Sequence, residues 1–311
     1  MTMNAPTVTF ILGCTGAGKS GLGLALAQRL GGEILCIDSM TVYRRMDIGT
    51  DKPDAAARAR VRHHLLDLVE PWEEFSVARF VEAADEAIGG IAGRGRSIIA
   101  VGGTALYVKA LSEGLFEGPG ADAAIRRRLH DEAAAEGWPA LHERLRRADP
   151  AAAARIHVND ARRIVRALEV YELTGTPITE LQQQWDRQRR RYDCRFIGIH
   201  RPTEVLSRRI NARVRRMFDA GLVDEVRGLL ALQRPLSGTA SRALGYAEIL
   251  AHLGGLTSLD DAIEQIKINT RRFAKAQRTW FRRFRDTCWL DASDDTSAEA
   301  LADAALARLQ V

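Results

Sequence analysis

The chain has 311 residues, 46% of them hydrophobic and 27% charged, a composition that suits one or two folded domains and excludes a disordered chain. No apolar run approaches the roughly 20 residues of a membrane span, and the start of the chain lacks the pattern of a secretory signal peptide. The four cysteines are dispersed without a CxxC pair, which favours reduced thiols over a disulfide framework or a zinc site. These features predict a cytoplasmic protein without a membrane partner.

The first third of the chain alternates between strands and helices, and a helical block follows at residues 121–188. Apolar runs typical of buried strands lie at residues 7–12, 34–37, 98–101 and 194–200. Helical spacing of apolar residues marks segments 19–30, 75–91, 203–232, 258–285 and 297–309. The predicted fold class is therefore α/β, with a parallel sheet core that is covered by helices and interrupted by a helical insertion.

Charge is distributed unevenly along the chain. The first 120 residues hold 12 basic and 14 acidic residues, a net charge of −2, whereas the rest holds 33 and 26, a net charge of +7. Only five of the 45 basic residues are lysine, and arginine suits bidentate contacts to phosphate. A GC-rich genome would explain the preference for arginine but not the asymmetry, so the sequence predicts that the rear of the chain meets a polyanion.

A glycine-rich loop follows the first strand and matches the pattern G-x-x-x-x-G-K-[ST]. Its members are Gly13, Cys14, Thr15, Gly16, Ala17, Gly18, Lys19 and Ser20. Such a P-loop, common in proteins that bind nucleotides such as ATP, holds a polyphosphate between backbone N–H groups and the start of a helix. We expect Lys19 to neutralise the distal phosphate and Ser20 to offer its hydroxyl to Mg²⁺. The loop indicates polyphosphate binding without identifying the compound.

An acidic residue follows the second predicted strand rather than the third. Nucleotide hydrolases and kinases carry a carboxylate that holds Mg²⁺ and places water, but here the third strand continues into Gly102, Gly103 and Thr104, and the acid is Asp38. Because the ends of parallel strands line one crevice, we expect Asp38, Thr104 and the P-loop to lie together. By position alone, Asp38 is a metal-associated carboxylate, a general base or a helix N-cap, and Thr104 is an N-cap or a hydroxyl directed into the crevice.

The predicted helix at 258–285 carries an apolar stripe and a basic stripe. The apolar residues are Ile263, Ile266, Phe273, Trp280, Phe281 and Phe284, and the basic residues are Lys267, Arg271, Lys275, Arg278, Arg282 and Arg285. Like charges at this spacing repel each other, which points to a counter-charge from another molecule. Shorter basic clusters include Arg126–Arg128, Arg162, Arg163, Arg166, Arg187, Arg189–Arg191, Arg209, Arg213 and Arg216. Together these residues are typical of a surface that follows a nucleic-acid backbone.

Eight sequence blocks together resemble those of the tRNA dimethylallyltransferases, also called tRNA isopentenyltransferases. The blocks are GCTGAGKS (13–20), IDSMTVYR (37–44), DIGTDKP (47–53), HHLLD (63–67), VGGTALY (101–107), RIHVNDARRIVRALEVYELTG (155–175), LGYAE (244–248) and RRFAKAQRTWFRR (271–283). They occur in order over nearly the whole chain. The family transfers the dimethylallyl group from dimethylallyl diphosphate to N6 of the adenosine that is 3′-adjacent to the anticodon in tRNA, and it releases diphosphate.

This resemblance implies a role for each residue near the predicted crevice. The P-loop would hold the prenyl diphosphate, with Lys19 and Arg213 at its charged groups. Asp38 would be the general base for the adenine amino group, and Thr104 would contact the reacting region. Mg²⁺ near Ser20 is the implied cofactor. Because prenyl transfer activates no water, the missing acid after the third strand is consistent with this reaction.

The resemblance also implies a P-loop kinase-like core with a helical insertion that grips the anticodon stem-loop of tRNA. The implied domains are residues 1–117, the first part of the core; 118–195, the insertion; and 196–311, the second part of the core with basic tRNA-contacting helices. The implied tRNA-binding residues are Asp38, Ser39, Met40, Thr41, Thr104, Arg126, Arg162, Arg163, Ile164, Val165, Arg166, Arg242, Gly245, Tyr246, Lys275, Arg278 and Arg282. We expect the enzyme to be a monomer.

The chain departs from the family pattern at Cys14, where proline is common, at Gly16-Ala17, where Ala-Ser is common, and at Ala276, where arginine is common. None of these positions carries a catalytic side chain that the resemblance implies. Two other activities are compatible with the P-loop: transfer of the prenyl group to a free adenine nucleotide, and phosphoryl transfer or ATP hydrolysis. The basic rear of the chain argues against a free nucleotide, which needs no extended binding surface.

Overall fold

The computed structural model describes residues 5–114, 118–186 and 190–309. Its centre is a six-stranded sheet of order β3-β2-β4-β1-β5-β6. The strands are β1 (Thr7–Leu12), β2 (Glu33–Cys36), β3 (His63–His64), β4 (Ile98–Val101), β5 (Asp193–His200) and β6 (Cys288–Asp291). The pairings between these strands are parallel, so their carboxyl ends share one edge of the sheet. Because β1 lies between β4 and β5, the loop after β1 is at the middle of that edge.

Helices and irregular segments connect the strands. The helices are α1 (Lys19–Arg29), α2 (Ala55–Arg60), α3 (Val77–Gly93), α4 (Ala105–Glu113), α5 (Ala123–Glu136), α6 (Trp138–Ala148), α7 (Pro150–Ala153), α8 (Ala161–Thr174), α9 (Ile178–Asp186), α10 (Thr203–Asp219), α11 (Leu222–Leu230), α12 (Tyr246–Leu253), α13 (Leu259–Phe281) and α14 (Ala298–Leu309). Helix α1 buries Leu22 and Leu26, four residues apart, in the same core as Ile11 of β1. Within the described ranges, no helix is long and apolar enough to cross a membrane.

Contacts divide the chain into two compact units. The core unit comprises Met1–Ser112 and Arg191–Val311 and contains the whole sheet, and the helical unit comprises Glu113–Arg190. The two parts of the core unit meet where the chain leaves it and returns, because the Arg191 N–H donates to the Ser112 carbonyl at 3.0 Å. The Arg191 guanidinium also forms an ion pair with Asp85 of α3. The chain therefore leaves and re-enters the core unit at one point.

The α/β class and the parallel sheet with a helical insertion are confirmed, whereas several predicted bounds are wrong. Strand β3 was not predicted, because its two residues are too few to show a strand period. Strand β6 was not predicted, because it has only three consecutive apolar residues, fewer than the apolar runs at 34–37 and 98–101. The predicted insertion runs to residue 195, but β5 begins at Asp193 and pairs with β1 from that residue onward. Helix α13 ends at Phe281, four residues before the predicted end. Gly221, with φ of 97°, separates α10 from α11 within a segment predicted as one helix.

The helical unit has a hydrophobic core of its own, and a buried ion-pair cluster lies in it. Leu129, Leu141, Ile164 and Leu168 are among the residues of this core. The fully buried carboxylate of Glu169 accepts hydrogen bonds from the guanidinium groups and the backbone N–H that surround it, which belong to Arg126, Arg166 and Asp122. Burial raises the pKa of this carboxyl, but these donors outweigh burial and hold the pKa below its usual range.

We expect Glu169→Ala to destabilise the helical unit by about 3 kcal/mol, because it leaves two guanidinium groups without their buried partner. The exposed Glu180 on α9 offers a control, and Glu180→Ala should change stability by less than about 0.5 kcal/mol. Urea unfolding followed by circular dichroism measures both variants. Equal stability of the two variants would mean that the cluster contributes nothing to folding.

Candidate active site

The loop between β1 and α1 has the backbone conformation of an anion-binding loop. Gly13, Gly16 and Gly18 have φ angles of 145°, 80° and 101°, which residues with a Cβ rarely adopt. Helix α1 begins at Lys19, so its first N–H groups and the positive end of its dipole face the loop. The Lys19 ammonium donates to the Cys14 carbonyl at 3.0 Å. The loop thus concentrates positive charge in a space bounded by backbone N–H groups.

Three arginines that follow β5 contact this loop. The Nε atoms of Arg201 and Arg209 donate to loop carbonyl groups at 2.8 and 2.9 Å. Arg213, one turn further along α10, donates from Nη1 to the Thr15 hydroxyl at 3.0 Å. Of these three, the sequence resemblance assigned a diphosphate contact to Arg213 alone. The other two hold the loop through its carbonyl oxygens and add to its positive field.

A glutamine that the sequence analysis did not select connects the loop to the end of β4. Gln277 of α13 is only 5% exposed. Its side-chain oxygen accepts from the Thr15 N–H at 2.8 Å, and its amide nitrogen donates to the Gly103 carbonyl at 2.8 Å. The sequence does contain a signal for its burial, because Gln277 lies on the apolar stripe of the helix, four residues from both Phe273 and Phe281. Gln277 therefore fixes the spacing between two sides of the crevice.

The environment of Lys19 makes its charge sensitive to pH. Burial lowers the pKa of the Lys19 ammonium to about 8, and the Arg213 guanidinium acts in the same direction, whereas Asp38 and Asp51 oppose the shift. Lys19 is therefore protonated below about pH 8 in the free site. A bound polyanion would favour its charged form further.

Asp38 lies just beyond β2, beside the P-loop. Burial raises the pKa of its carboxyl, and the Met40 N–H, which donates to Oδ1 at 2.8 Å, opposes this effect together with Lys19 and Arg213. The next helix in the described chain, α2, begins only at Ala55, so the interpretation of Asp38 as a helix N-cap is wrong. A half-buried carboxylate with a raised pKa, next to two cations, is suited to accept a proton.

Thr104 lies across the crevice from Ser39, the residue that follows Asp38. Helix α4 begins directly after Thr104, but the Thr104 hydroxyl accepts from the Ser39 N–H at 3.0 Å and contacts the Ser39 hydroxyl at 3.3 Å. The close approach of the two segments requires glycine, since a Cβ at Gly102 would lie 1.8 Å from the Ile37 carbonyl oxygen. Asp38, Thr104 and the P-loop therefore lie together at the sheet edge, as the topology predicts.

The arrangement combines an anion-binding loop with a proton acceptor, and it has few groups for a metal ion. In the described part of the chain, no three His, Cys, Asp or Glu side chains converge on a metal position. The exposed Ser20 hydroxyl, in the first turn of α1, is suited to Mg²⁺, which commonly takes few protein ligands and completes its shell with phosphate oxygens and water.

The other predicted tRNA-binding residues of the core unit differ in accessibility. Ser39 and Met40 are half-buried beside Asp38, and Arg242 is exposed. Thr41 is 7% exposed, and its hydroxyl has no hydrogen-bond partner. Tyr246 is fully buried beside Gly245, and its hydroxyl donates to a carboxylate of α11 at 2.6 Å. Gly245 and Tyr246 therefore have packing roles in the structure, without need of contact with a ligand.

Helix α13 does not present the single basic stripe that the sequence predicts. Lys267 is buried and pairs with Glu264, and the guanidinium groups of Arg271 and Arg278 donate to residues of α10 at 2.7 and 2.9 Å. Phe273, predicted to face the core, is 47% exposed. The exposed basic residues of α13 and of the turn that follows it are Arg272, Lys275, Arg282, Arg283 and Arg285. They form a basic surface, here called the α13 surface.

The predicted tRNA-binding residues of the helical unit fall into two groups, those with structural contacts and those that are exposed. Arg126 and Arg166 are bound to Glu169, and Ile164 and Val165 are buried in the unit's core, so these four residues have structural contacts. The arginines left exposed among the predicted ones are Arg162 and Arg163 of α8. Arg187 and Arg189, which the sequence placed in a basic cluster, lie outside the described residues.

Comparison with known proteins shows close relatives over the whole fold. The family model described as IPP transferase matches residues 41–284. A tRNA dimethylallyltransferase of Geobacter metallireducens is 50% identical over 91% of this chain and 92% of its own length. The tRNA dimethylallyltransferase of Anaeromyxobacter dehalogenans strain 2CP-C is 48% identical over 94% of this chain and 97% of its own length.

Solved structures agree with these matches. The full-length tRNA isopentenylpyrophosphate transferase of Bacillus halodurans is 38% identical with a TM-score of 0.72, and the match covers 99% of this chain and 96% of that one. A eukaryotic dimethylallyltransferase acting on tRNA is 30% identical with a TM-score of 0.81, and the match covers 98% of this chain and 79% of that one.

Proposed function

We propose that this chain, which belongs to the IPP transferase family, transfers the dimethylallyl group from dimethylallyl diphosphate to N6 of the adenosine 3′-adjacent to the anticodon of tRNA. The observation that supports this reaction best is the position of Asp38 beside the P-loop, with Lys19 and Arg213 close enough to act on its charge. One crevice thus offers a site for a leaving diphosphate and a base for an incoming amine. A monomeric enzyme of the cytoplasm, acting with Mg²⁺, is part of the same proposal.

Diphosphate departure makes the dimethylallyl group reactive. An exocyclic adenine amine is a weak nucleophile, so the bond between C1 and the diphosphate oxygen must weaken as N6 attacks. Negative charge then develops on the diphosphate, and in this proposal Lys19, Arg213 and the P-loop N–H groups stabilise it. The contacts of Lys19 and Arg213 with the P-loop support this role. When bound, Mg²⁺ beside Ser20 would neutralise part of the diphosphate charge.

Asp38 completes the proton balance of the reaction. As N6 bonds to C1, the amine becomes cationic and loses a proton, and the Asp38 carboxylate accepts that proton while diphosphate leaves with the electron pair of the broken bond. The target base must leave its stack to reach this crevice.

The α13 surface supplies the binding area for an RNA backbone in this proposal. Its cations are exposed, and no ion pair of Lys275 or Arg282 occurs among the described residues. A surface of unneutralised charge favours a polyanion and offsets the cost of unstacking the target base. The exposed Arg162 and Arg163 of the helical unit have the same character.

We expect the double variant Lys275→Glu with Arg282→Glu to weaken tRNA binding, because it replaces two phosphate-binding cations with anions. The slope of log K against log salt should fall by about two, close to one for each lost phosphate contact. Filter binding over a series of potassium chloride concentrations measures this slope. The control variant, Arg60→Glu with Arg308→Glu, changes net charge equally at exposed sites on α2 and α14. If both variants reduced the slope equally, the α13 surface would have no special role.

One assay distinguishes the proposed reaction from its alternatives. The enzyme is incubated with labelled dimethylallyl diphosphate, Mg²⁺ and either unmodified tRNA or AMP, and ATP hydrolysis is followed in parallel. The proposal expects label in tRNA at the adenosine that follows the anticodon. Label in AMP but not in tRNA would replace it by free-nucleotide prenylation, and ATP hydrolysis without prenyl transfer would replace it by an ATPase.

A further inference from the structure

Arg213 already has an anionic partner in the protein. Its Nη1 atom lies 3.4 Å from Oδ2 of Asp51, while the same nitrogen donates to the Thr15 hydroxyl of the P-loop. Asp51 also acts on the charge of Lys19, whose pKa burial lowers and Asp51 raises. The Asp51 carboxylate therefore lies within the positive field that the P-loop and α10 create.

The backbone that carries Asp51 is anchored on its N-terminal side. The Glu225 carboxylate of α11 accepts three consecutive N–H groups, those of Asp47, Ile48 and Gly49, at 2.9, 2.8 and 3.2 Å. A carboxylate bound to three backbone donors holds the segment strongly. This segment ends two residues before Asp51.

The residue after Asp51 anchors the other side. The Lys52 side chain is 1% exposed, and its ammonium donates to the Tyr43 carbonyl at 2.7 Å and to the carboxylates of Asp47 and Asp67 at 2.5 and 2.7 Å. Asp51 itself has a φ of 56°, a left-handed conformation that costs energy for most residues. Its position beside Arg213 is thus set by the surrounding structure.

Solvent reaches this ion pair. A cavity of about 500 Å³ is lined by Asp51 and Arg213, together with Arg58 and Arg216, and the Asp51 side chain is 55% exposed. An anion that entered from the cavity would meet the Arg213 guanidinium with Asp51 still bound to it. Because like charges repel, the two anions cannot both bind this guanidinium without a loss of affinity.

We propose that Asp51 is an internal counter-ion that competes with diphosphate for Arg213. This inference rests on the proposed function, in which Arg213 binds the leaving diphosphate. While the site is free, Asp51 holds the guanidinium beside the P-loop. When diphosphate is bound, the same carboxylate repels it, weakens its binding and favours its release after transfer. Asp51 is in this sense a positioning residue that sets the affinity for the product.

The test measures the binding of inorganic pyrophosphate to the full-length enzyme by calorimetry, with Mg²⁺ and with EDTA in place of Mg²⁺. Asp51→Asn removes the charge, and asparagine tolerates the left-handed conformation. We expect this variant to bind pyrophosphate about three- to tenfold more tightly in both conditions, because removal of a competing, exposed ion pair changes an affinity by roughly this factor. Product inhibition of prenyl transfer by pyrophosphate should strengthen by the same factor.

The control is Asp54→Asn, which removes an equal charge three residues away. Asp54 caps α2 through the Ala57 N–H at 2.7 Å, and asparagine is an equally good cap. Its pyrophosphate affinity should change by less than half as much as that of Asp51→Asn. Damage to the fold would weaken binding, so a gain of affinity distinguishes competition from a structural role.

Each contrary result has its own meaning. Unchanged or weaker binding by Asp51→Asn in both conditions would overturn the inference. Weaker binding in Mg²⁺ but not in EDTA would overturn the inference and would instead identify Asp51 as a metal ligand. The wild-type chain separates this inference from the proposed function, because failure of the wild type to bind pyrophosphate or to prenylate tRNA would refute the proposed site itself.

Discussion

Replacement of Asp38 by asparagine is expected to lower kcat for prenyl transfer by about 10³-fold, because the amide cannot accept the proton that N6 loses. The affinity for tRNA and for pyrophosphate should stay within about threefold, since asparagine keeps the shape of the side chain and its acceptor for the Met40 N–H. Single-turnover transfer of labelled dimethylallyl to unmodified tRNA measures the first quantity, and filter binding measures tRNA affinity. A loss of tRNA binding equal to the loss of rate would make Asp38 a structural residue.

The pH dependence offers an independent check on the same residue. Burial raises the pKa of Asp38, and a general base works only when it is deprotonated. Transfer should therefore decline as pH falls, with a midpoint above the usual range of an aspartate, and the residual activity of Asp38→Asn should lack this decline. Asp219→Asn, at the exposed end of α10, is the matched control and should keep both the rate and the pH profile of the wild type.

Replacement of Lys19 by methionine is expected to reduce kcat/KM by about 10²- to 10³-fold, because the charge that stabilises the leaving diphosphate is lost. Methionine keeps much of the length of the side chain, so the P-loop glycines and α1 should retain their conformation. Arg29, at the exposed end of the same helix, provides a control, and Arg29→Met should leave kcat/KM unchanged. An equally active Lys19→Met enzyme would exclude the P-loop as the diphosphate site.

The sign of the pH effect on Lys19 is opposite to that on Asp38. Because burial lowers the pKa of Lys19 to about 8 in the free site, the charged form dominates below that pH and is lost above it. Pyrophosphate affinity of the wild type should therefore fall as pH rises through about 8, and the Lys19→Met variant should not show this change. A pH-independent affinity in the wild type would contradict the assignment.

The parts of the site that follow from local sequence could be predicted. The P-loop is a contiguous pattern between a strand and a helix, and Asp38 and Thr104 each follow a buried strand. Parallel pairing alone then brings them to one edge. Their placement required no knowledge of side-chain contacts. Their roles in the reaction remain predictions.

The residues that could not be predicted depend on partners far away in the sequence. Gln277 accepts from the N–H of Thr15, 262 positions earlier, and although its place on the apolar stripe of α13 indicates burial, the sequence does not reveal this partner. Likewise, the sequence predicts that Arg126 binds RNA, whereas in the structure Arg126 donates to Glu169 on another helix. Phe273 fits an apolar stripe by spacing alone, yet the neighbouring helices leave it exposed. Tertiary packing, which periodicity does not specify, decided each case.

The hydrogen bond between Arg191 and Ser112 has a consequence for how such enzymes diverge. It joins the two ends of the segment inserted between Ser112 and Arg191. The free-energy cost of closing a loop rises by only about 0.6 kcal/mol for each doubling of the loop's length. Residues between these ends can be gained, lost or replaced with little effect on the stability of the catalytic core. Evolution could therefore remodel the inserted segment to suit different RNA partners while the chemistry stayed constant.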